Sequence, residues 1–224
     1  MRRDVFEFNG YTAYVMIPEK PNGKWIWKTE FFHEFEQAEV ALFEKGYTRV
    51  YYQISDKYGS NNAVRLMHRL HLELLKRYDL LTKETILFGF SRGGLYAYNY
   101  AVYYPEYVSK IYLDAPVLNL RSWPWHKGHF HDQFCKEYNL NEETFETFRG
   151  SPLDMKEEFA ANDIPLLIIA GDKDLSVPFE DNGALLEKYY KSIGKSFELI
   201  IKKNAGHHPH SLEDVTPIVE FIEK

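Results

Sequence analysis

The run Gly89-Phe90-Ser91-Arg92-Gly93-Gly94 places a serine between glycines two positions before and two positions after it. An apolar stretch, Thr85 to Phe88, precedes it, and a helix-compatible stretch from about 92 to 103 follows. A serine on such a strand-to-helix turn projects its hydroxyl away from the backbone. The turn drives it toward positive φ, a strained region for a residue with a Cβ, so its neighbours must be small. The start of the following helix places partial positive charge beside the hydroxyl, where an oxyanion would form. A serine hydroxyl is a weak nucleophile at neutral pH. It needs an imidazole to take its proton and a carboxylate to orient that imidazole.

Candidate partners follow in the order acid, then histidine. Beyond the apolar run 166–169 lies Ala170-Gly171-Asp172-Lys173-Asp174-Leu175-Ser176-Val177-Pro178. An aspartate just past a strand end can point into the crevice at the carboxyl edge of a sheet. Asp174 and Asp172 both qualify, and so does Asp114, which follows the apolar run 108–113. Near the C-terminus stands Asn204-Ala205-Gly206-His207-His208-Pro209-His210, a glycine-containing loop able to bring an imidazole over Ser91.

With these neighbourhoods in the order serine, acid, histidine, the chain resembles the α/β-hydrolase superfamily over nearly its whole length. The resemblance implies Ser91 as nucleophile, Asp174 as acid and His207 as base. It also implies an oxyanion hole made by the Arg92 amide and one amide from the loop after Trp25-Ile26-Trp27. That loop commonly carries His-Gly in the family; here it reads Lys28-Thr29-Glu30-Phe31-Phe32. By position Glu30 is the expected second donor, with Phe31 as the alternative. Lys28 and Glu30 either face the cleft, which would suit a polar substrate, or point to solvent. Gly-Phe-Ser-Arg-Gly-Gly-Leu-Tyr-Ala-Tyr, Asp114-Ala115-Pro116 and the histidine loop also resemble a subgroup of small bacterial hydrolases, some linked to polysaccharide use.

The elements that must position these residues alternate between strand and helix. Strands are expected at 5–8 and 11–17, joined at Asn9-Gly10, a strong hairpin signal. Others are expected at 25–27, 49–54, 85–88, 108–113, 164–170 and 197–201. Helices are expected at 33–45, 61–77, 92–103, 180–193 and from Pro217 onward. The pattern predicts an α/β protein: a mostly parallel central sheet with helices on both faces. Residues 115–160 break the rhythm with Pro116, Pro124 and short helices near 130–138 and 141–148. They read as a lid insertion within a single domain spanning 1–224.

The chain has 224 residues, enough for one well-buried core. Its net charge of −6 excludes a basic field that would gather nucleic acid. No apolar segment suits a signal peptide or a membrane span, so no membrane partner and a cytoplasmic location are expected. A single cysteine, Cys135, excludes an internal disulfide. His126, His129 and His131 beside Asp132 read as lid residues rather than metal ligands. His207, His208 and His210 could be recast as ligands, but the hydrolase order accounts better for His207. No metal and no other cofactor is expected. His68 and His71 are expected at the surface or boundary of a helix. His208 is expected to touch substrate. Trp123 and Trp125 form either a stacking wall over the site or a cluster that pins the lid. The expected activity is hydrolysis of a small-molecule carboxylic ester, a small acyl group on a polar or carbohydrate substrate. A peptidase with the same triad and a non-catalytic binding module are the alternatives.

Overall fold

In the computed structural model, which describes residues 1–126 and 128–224 and all side chains among them except that of His129, eight strands form one sheet. In chain order the elements are β1 (Arg2–Phe8), β2 (Tyr11–Ile17), β3 (Trp25–Lys28), α1 (Gln37–Glu44), β4 (Thr48–Tyr52), α2 (Asn61–Arg77), β5 (Thr85–Phe90) and α3 (Gly93–Tyr103). There follow β6 (Val108–Asp114), α4 (His129–Tyr138), α5 (Glu142–Thr147), α6 (Lys156–Ala161), β7 (Leu166–Gly171), α7 (Gly183–Ser192), β8 (Glu198–Lys202) and α8 (Thr216–Glu223). The strand order is β1-β2-β4-β3-β5-β6-β7-β8. The first two pairings are antiparallel and every later one is parallel. This is the mostly parallel sheet expected from the alternation of strand and helix, and the α/β-hydrolase arrangement that the resemblance implies.

Central strands covered on both faces read as unbroken apolar runs, and β5 and β7 are buried at every position. Their side chains alternate between two cores. Leu87, Leu113 and Ile168 join residues of α2, α3, α6 and α7 on one face. Ile86, Phe88, Phe90 and Ile169 join Leu42 of α1 and Ile218 and Ile222 of α8 on the other. The helix expected over 33–45 begins only at Gln37. Residues 29–36 form a loop in which Phe31 and Phe35 take positive φ, 57° and 52°. His71, expected near the surface, is fully enclosed; Tyr100 donates to its Nδ1 at 2.8 Å, and its Nε2 lies 2.7 Å from the Lys83 carbonyl.

Between β6 and β7 the chain leaves the sheet to form α4, α5 and α6. Aromatic packing holds this insertion down. Trp125 stacks on Phe145 with centroids 3.6 Å apart, and Phe134 is fully buried beneath them. Polar contacts tie it to the turn after β4. Tyr138 donates to the Tyr58 carbonyl at 2.9 Å, and Ser60 donates to Glu137 at 2.6 Å.

Under the loop after β3 lies a buried set of charges. Lys28 and Glu39 are each 1% exposed and pair at 2.7 Å. The Lys28 ammonium also donates to the Glu34 carbonyl, closing the loop onto its own strand. Arg49 of β4 bridges Glu36 at 2.5 Å and Glu39 at 3.1 Å. Burial pushes the Lys28 amine below its usual range, and Glu39 opposes that shift. Lys28 therefore neither lines the cleft nor reaches solvent, contrary to both sequence readings. Replacing one member of a buried pair strands the other's charge. Lys28→Met should destabilise the protein by roughly 3 kcal/mol in denaturant unfolding, the low end for such a break because Arg49 still faces Glu39. Lys28→Met with Glu39→Leu should cost less than the two single changes added together. A neutral Lys28→Met would remove this network from the account of the fold.

Candidate active site

Ser91 sits between β5 and α3 with φ of 50°, the left-handed region forecast for a strand-to-helix turn. Its neighbours leave no room for larger residues. A Cβ at Gly89 would stand 2.8 Å from Leu113 Cδ2 and 2.9 Å from the Gly93 carbonyl oxygen. The Ser91 backbone is anchored across the sheet: its amide donates to the Asp114 carbonyl, and its carbonyl accepts from Val117, both at 2.9 Å.

The acid and the histidine arrive on adjacent loops after β7 and β8. At Gly171 these loops pass so closely that a Cβ would lie 2.3 Å from the Ala205 carbonyl oxygen. The Lys173 amide donates to the same carbonyl at 2.9 Å. Asp174 is thereby placed beside His207. His207 Nδ1 lies 2.7 Å from Asp174 Oδ2, and His207 Nε2 lies 2.9 Å from Ser91 Oγ. The structure thus brings hydroxyl, imidazole and carboxylate into one hydrogen-bonded line. The amides of Ser176 and Val177 donate to Asp174 Oδ1 at 2.8 and 2.9 Å. Burial alone would raise the Asp174 carboxyl, but the His207 hydrogen bond and these amides together hold it below the usual carboxylate range.

The competing acids lie elsewhere. Asp172 is exposed. Asp114 is fully buried and meets a different histidine: His210 Nδ1 at 2.7 Å, with the Tyr112 hydroxyl at 2.8 Å and the Ser211 amide at 2.9 Å as further donors. Sequence reading did not foresee this second carboxylate–imidazole pair. Its signal was present in Asp114 at a strand end and a third histidine in one loop.

The loop after β3 lies against the serine turn. The Thr29 hydroxyl sits 2.8 Å from the Gly93 carbonyl oxygen and 3.1 Å from that of Phe88. Among the described residues, neither the Arg92 amide nor the Glu30 amide has a hydrogen-bond acceptor. The Glu30 side chain is 1% exposed, so it does not point to solvent. It meets Arg92 at 3.4 Å and Ser55 at 3.0 Å, and burial raises its carboxyl even though Arg92 opposes the shift.

A cavity of about 330 Å³ opens at Ser91, lined by Phe31, Glu34, Phe35, His207, His208 and His210. His208 is there as expected, stacked on Phe35 with centroids 5.7 Å apart. Trp123 and Trp125 do not line this cavity. Trp125 is engaged with Phe145, and Trp123 packs near Phe130 and Tyr58, within the insertion. In the lid, His131 faces Asp132 and Cys135; the metal alternative there also needs the His129 side chain, which lies outside the described residues. Burial raises the Cys135 thiol, consistent with an unreactive side chain. No helix among the described residues is long and apolar enough to cross a membrane.

Comparison with known proteins bears on the fold and the family. An acylaminoacyl peptidase in complex with Z-Gly-Gly-Phe-chloromethyl ketone superposes with a TM-score of 0.74 at 17% identity, over 100% of this chain and 41% of that one. Porphyromonas gingivalis dipeptidyl peptidase 4 gives 0.71 at 13% identity, over 99% of this chain and 35% of that one. An α/β hydrolase enzyme from the metagenome of sediments from the lagoon of Mar Chica, Morocco, gives 0.58 at 17% identity, over 98% and 96%. The chain therefore spans less than half the length of these two peptidases and nearly all of the third protein. A search of curated protein sequences found no significant match. The model of the prolyl oligopeptidase family matches residues 44–224, which contain the serine, the aspartate and the histidine. The chain belongs to the prolyl oligopeptidase family, within the α/β-hydrolase superfamily of serine hydrolases.

Proposed function

We propose that this protein hydrolyses a carboxylic ester with a small acyl group through an acyl-enzyme on Ser91. The observation that carries the proposal is the unbroken line Ser91 Oγ to His207 to Asp174, at 2.9 and 2.7 Å. His207 takes the serine proton as Ser91 attacks the carbonyl carbon. Asp174 holds the imidazole with Nε2 toward the serine and stabilises the imidazolium. The carbonyl oxygen gains negative charge and is met by the free amides of Arg92 and Glu30. His207 then returns its proton to the departing alcohol, and water, activated by the same imidazole, releases the acid.

The preference for a small acyl group rests on the cavity. About 330 Å³ is near the lower end of ligand pockets, and two phenylalanine rings form part of its wall. A carbohydrate leaving group draws no support from Lys28, which is buried in an ion pair, or from Trp125, which stacks on Phe145. A second reading, an amide or peptide substrate, is favoured by membership of the prolyl oligopeptidase family. The same residues would serve it, with His207 protonating an amine instead of an alcohol.

Matched p-nitrophenyl esters and aminoacyl p-nitroanilides of increasing acyl size separate these readings. The ester reading predicts the highest kcat/KM for acetyl or propionyl esters, and faster turnover of anilides would replace it with the peptidase reading. On the best substrate, Ser91→Ala should abolish turnover, and Asp174→Asn should lower kcat by about 10⁴-fold through the wrong imidazole tautomer. Near-normal rates in either variant would remove that residue from the mechanism.

Because the folded Asp174 carboxyl titrates below its usual 3.8, its partners stabilise the fold above that pH and cease to do so as acid protonates it. The stability gap between wild type and Asp174→Asn, followed by urea unfolding, should therefore narrow as pH falls through this range. A gap that widens in acid would contradict the assigned pairing.

A further inference from the structure

The loop after β8 presents three imidazoles, and the hydrolytic reading uses the proton chemistry of one. The rings of His207, His208 and His210 stand roughly perpendicular to one another, each pair of centroids 4.9 Å apart. A ring nitrogen from each lies within 4.8 Å of the others. Two of the rings are held from behind by buried carboxylates: His207 Nδ1 by Asp174 and His210 Nδ1 by Asp114, both at 2.7 Å. A carboxylate on Nδ1 fixes the tautomer and leaves Nε2 as a lone pair of raised basicity, the arrangement that usually backs a metal-bound histidine. His208 has no carboxylate behind it; it is exposed and stacked on Phe35.

His210 supplies the second observation. Its side chain is 2% exposed, and its Nε2 has no hydrogen-bond partner among the described residues. A polar atom left unpaired at such a depth is destabilising, so it calls for a partner. Nothing in the proposed acyl transfer uses it.

We propose that His207, His208 and His210 form an inhibitory site for a borderline divalent metal ion, with Zn²⁺ as the best match. Imidazole nitrogens suit zinc, and three of them leave a fourth position for water or the Ser91 hydroxyl. Nitrogens on one tetrahedral zinc stand about 3.3 Å apart, so separations of up to 4.8 Å must close by up to roughly 1.5 Å as the ion binds. Binding forms three dative bonds from imidazole lone pairs and involves no oxidation or reduction. The bond to His207 Nε2 uses the lone pair that would accept the Ser91 proton, and the Ser91–His207 hydrogen bond is lost. A bound ion therefore stops hydrolysis at its first step. The binding claim stands independently of the proposed hydrolase activity, and only the inhibition rests on it.

The test uses the intact chain after treatment with EDTA and removal of the chelator. Isothermal titration with Zn²⁺ and visible absorption with Co²⁺ read binding without any substrate. One saturable site is expected, retained in Ser91→Ala. His208→Ala and His210→Ala should weaken it, and Asp114→Asn should do so by about 10- to 100-fold by loosening His210. Zn²⁺ should also inhibit ester turnover reversibly with EDTA, and less strongly in His208→Ala relative to that variant's own metal-free rate. Absence of a saturable site in folded wild type overturns the proposal, as does unchanged affinity in folded His208→Ala. Zinc bound at these histidines without loss of turnover overturns the inhibitory claim. Zinc binding in a protein that cleaves no ester or amide would count against the hydrolase reading and leave the metal site standing.

Discussion

A serine can face outward from a strand-to-helix turn only if its backbone enters the left-handed region, at a cost of about 1–3 kcal/mol that the surrounding structure must hold in place. Here Ser91 is fixed at φ 50° by hydrogen bonds to Asp114 and Val117, and by close packing at Gly89 that only a missing side chain permits. The other parts of the site are arranged around that hydroxyl. The parallel order of β5 to β8 sets the carboxyl ends of four neighbouring strands along one edge, so loops distant in sequence meet there. Asp174 and His207 are brought together where two of these loops touch at Gly171.

The loop after β3 solves a related problem by different means. It leaves the Glu30 amide without an acceptor among the described residues while carrying Lys28-Thr29-Glu30 where the resemblance implies His-Gly. Thr29 ties it to the carbonyls of Phe88 and Gly93, and Lys28 anchors its far end through Glu39 and the Glu34 carbonyl. Glu30 turns its carboxylate inward, where Oε2 meets Arg92 and Ser55, and away from solvent. These charges are structural, and they do not report the polarity of a substrate.

Much of the fold and the serine turn could be read from the sequence because local rules govern both, whereas Asp174 and His207 were singled out by the family resemblance. The apolar runs of β5 and β7, the Asn9-Gly10 turn and the glycines around Ser91 each express a short-range constraint. The features that could not be read are those set by distant partners. Nothing near Lys28 indicates that Glu39 and Arg49 will enclose its charge. The helix forecast from residue 33 starts at Gln37 because the preceding residues are recruited into the loop. The Asp114–His210 pair joins residues 96 positions apart, and no spacing rule anticipates it. Trp123 and Trp125 were ambiguous because aromatic composition cannot distinguish a binding wall from a packed lid.

The central claim is that Ser91, raised by its turn and deprotonated by His207, is the group that becomes acylated. Intact-mass and peptide mapping after reaction with a fluorophosphonate test it most directly, since the reagent captures a serine activated in this way. The account predicts one adduct, located on Ser91, formed by the wild type and lost in His207→Ala. An adduct on another residue, or none on a folded wild-type protein, would contradict it.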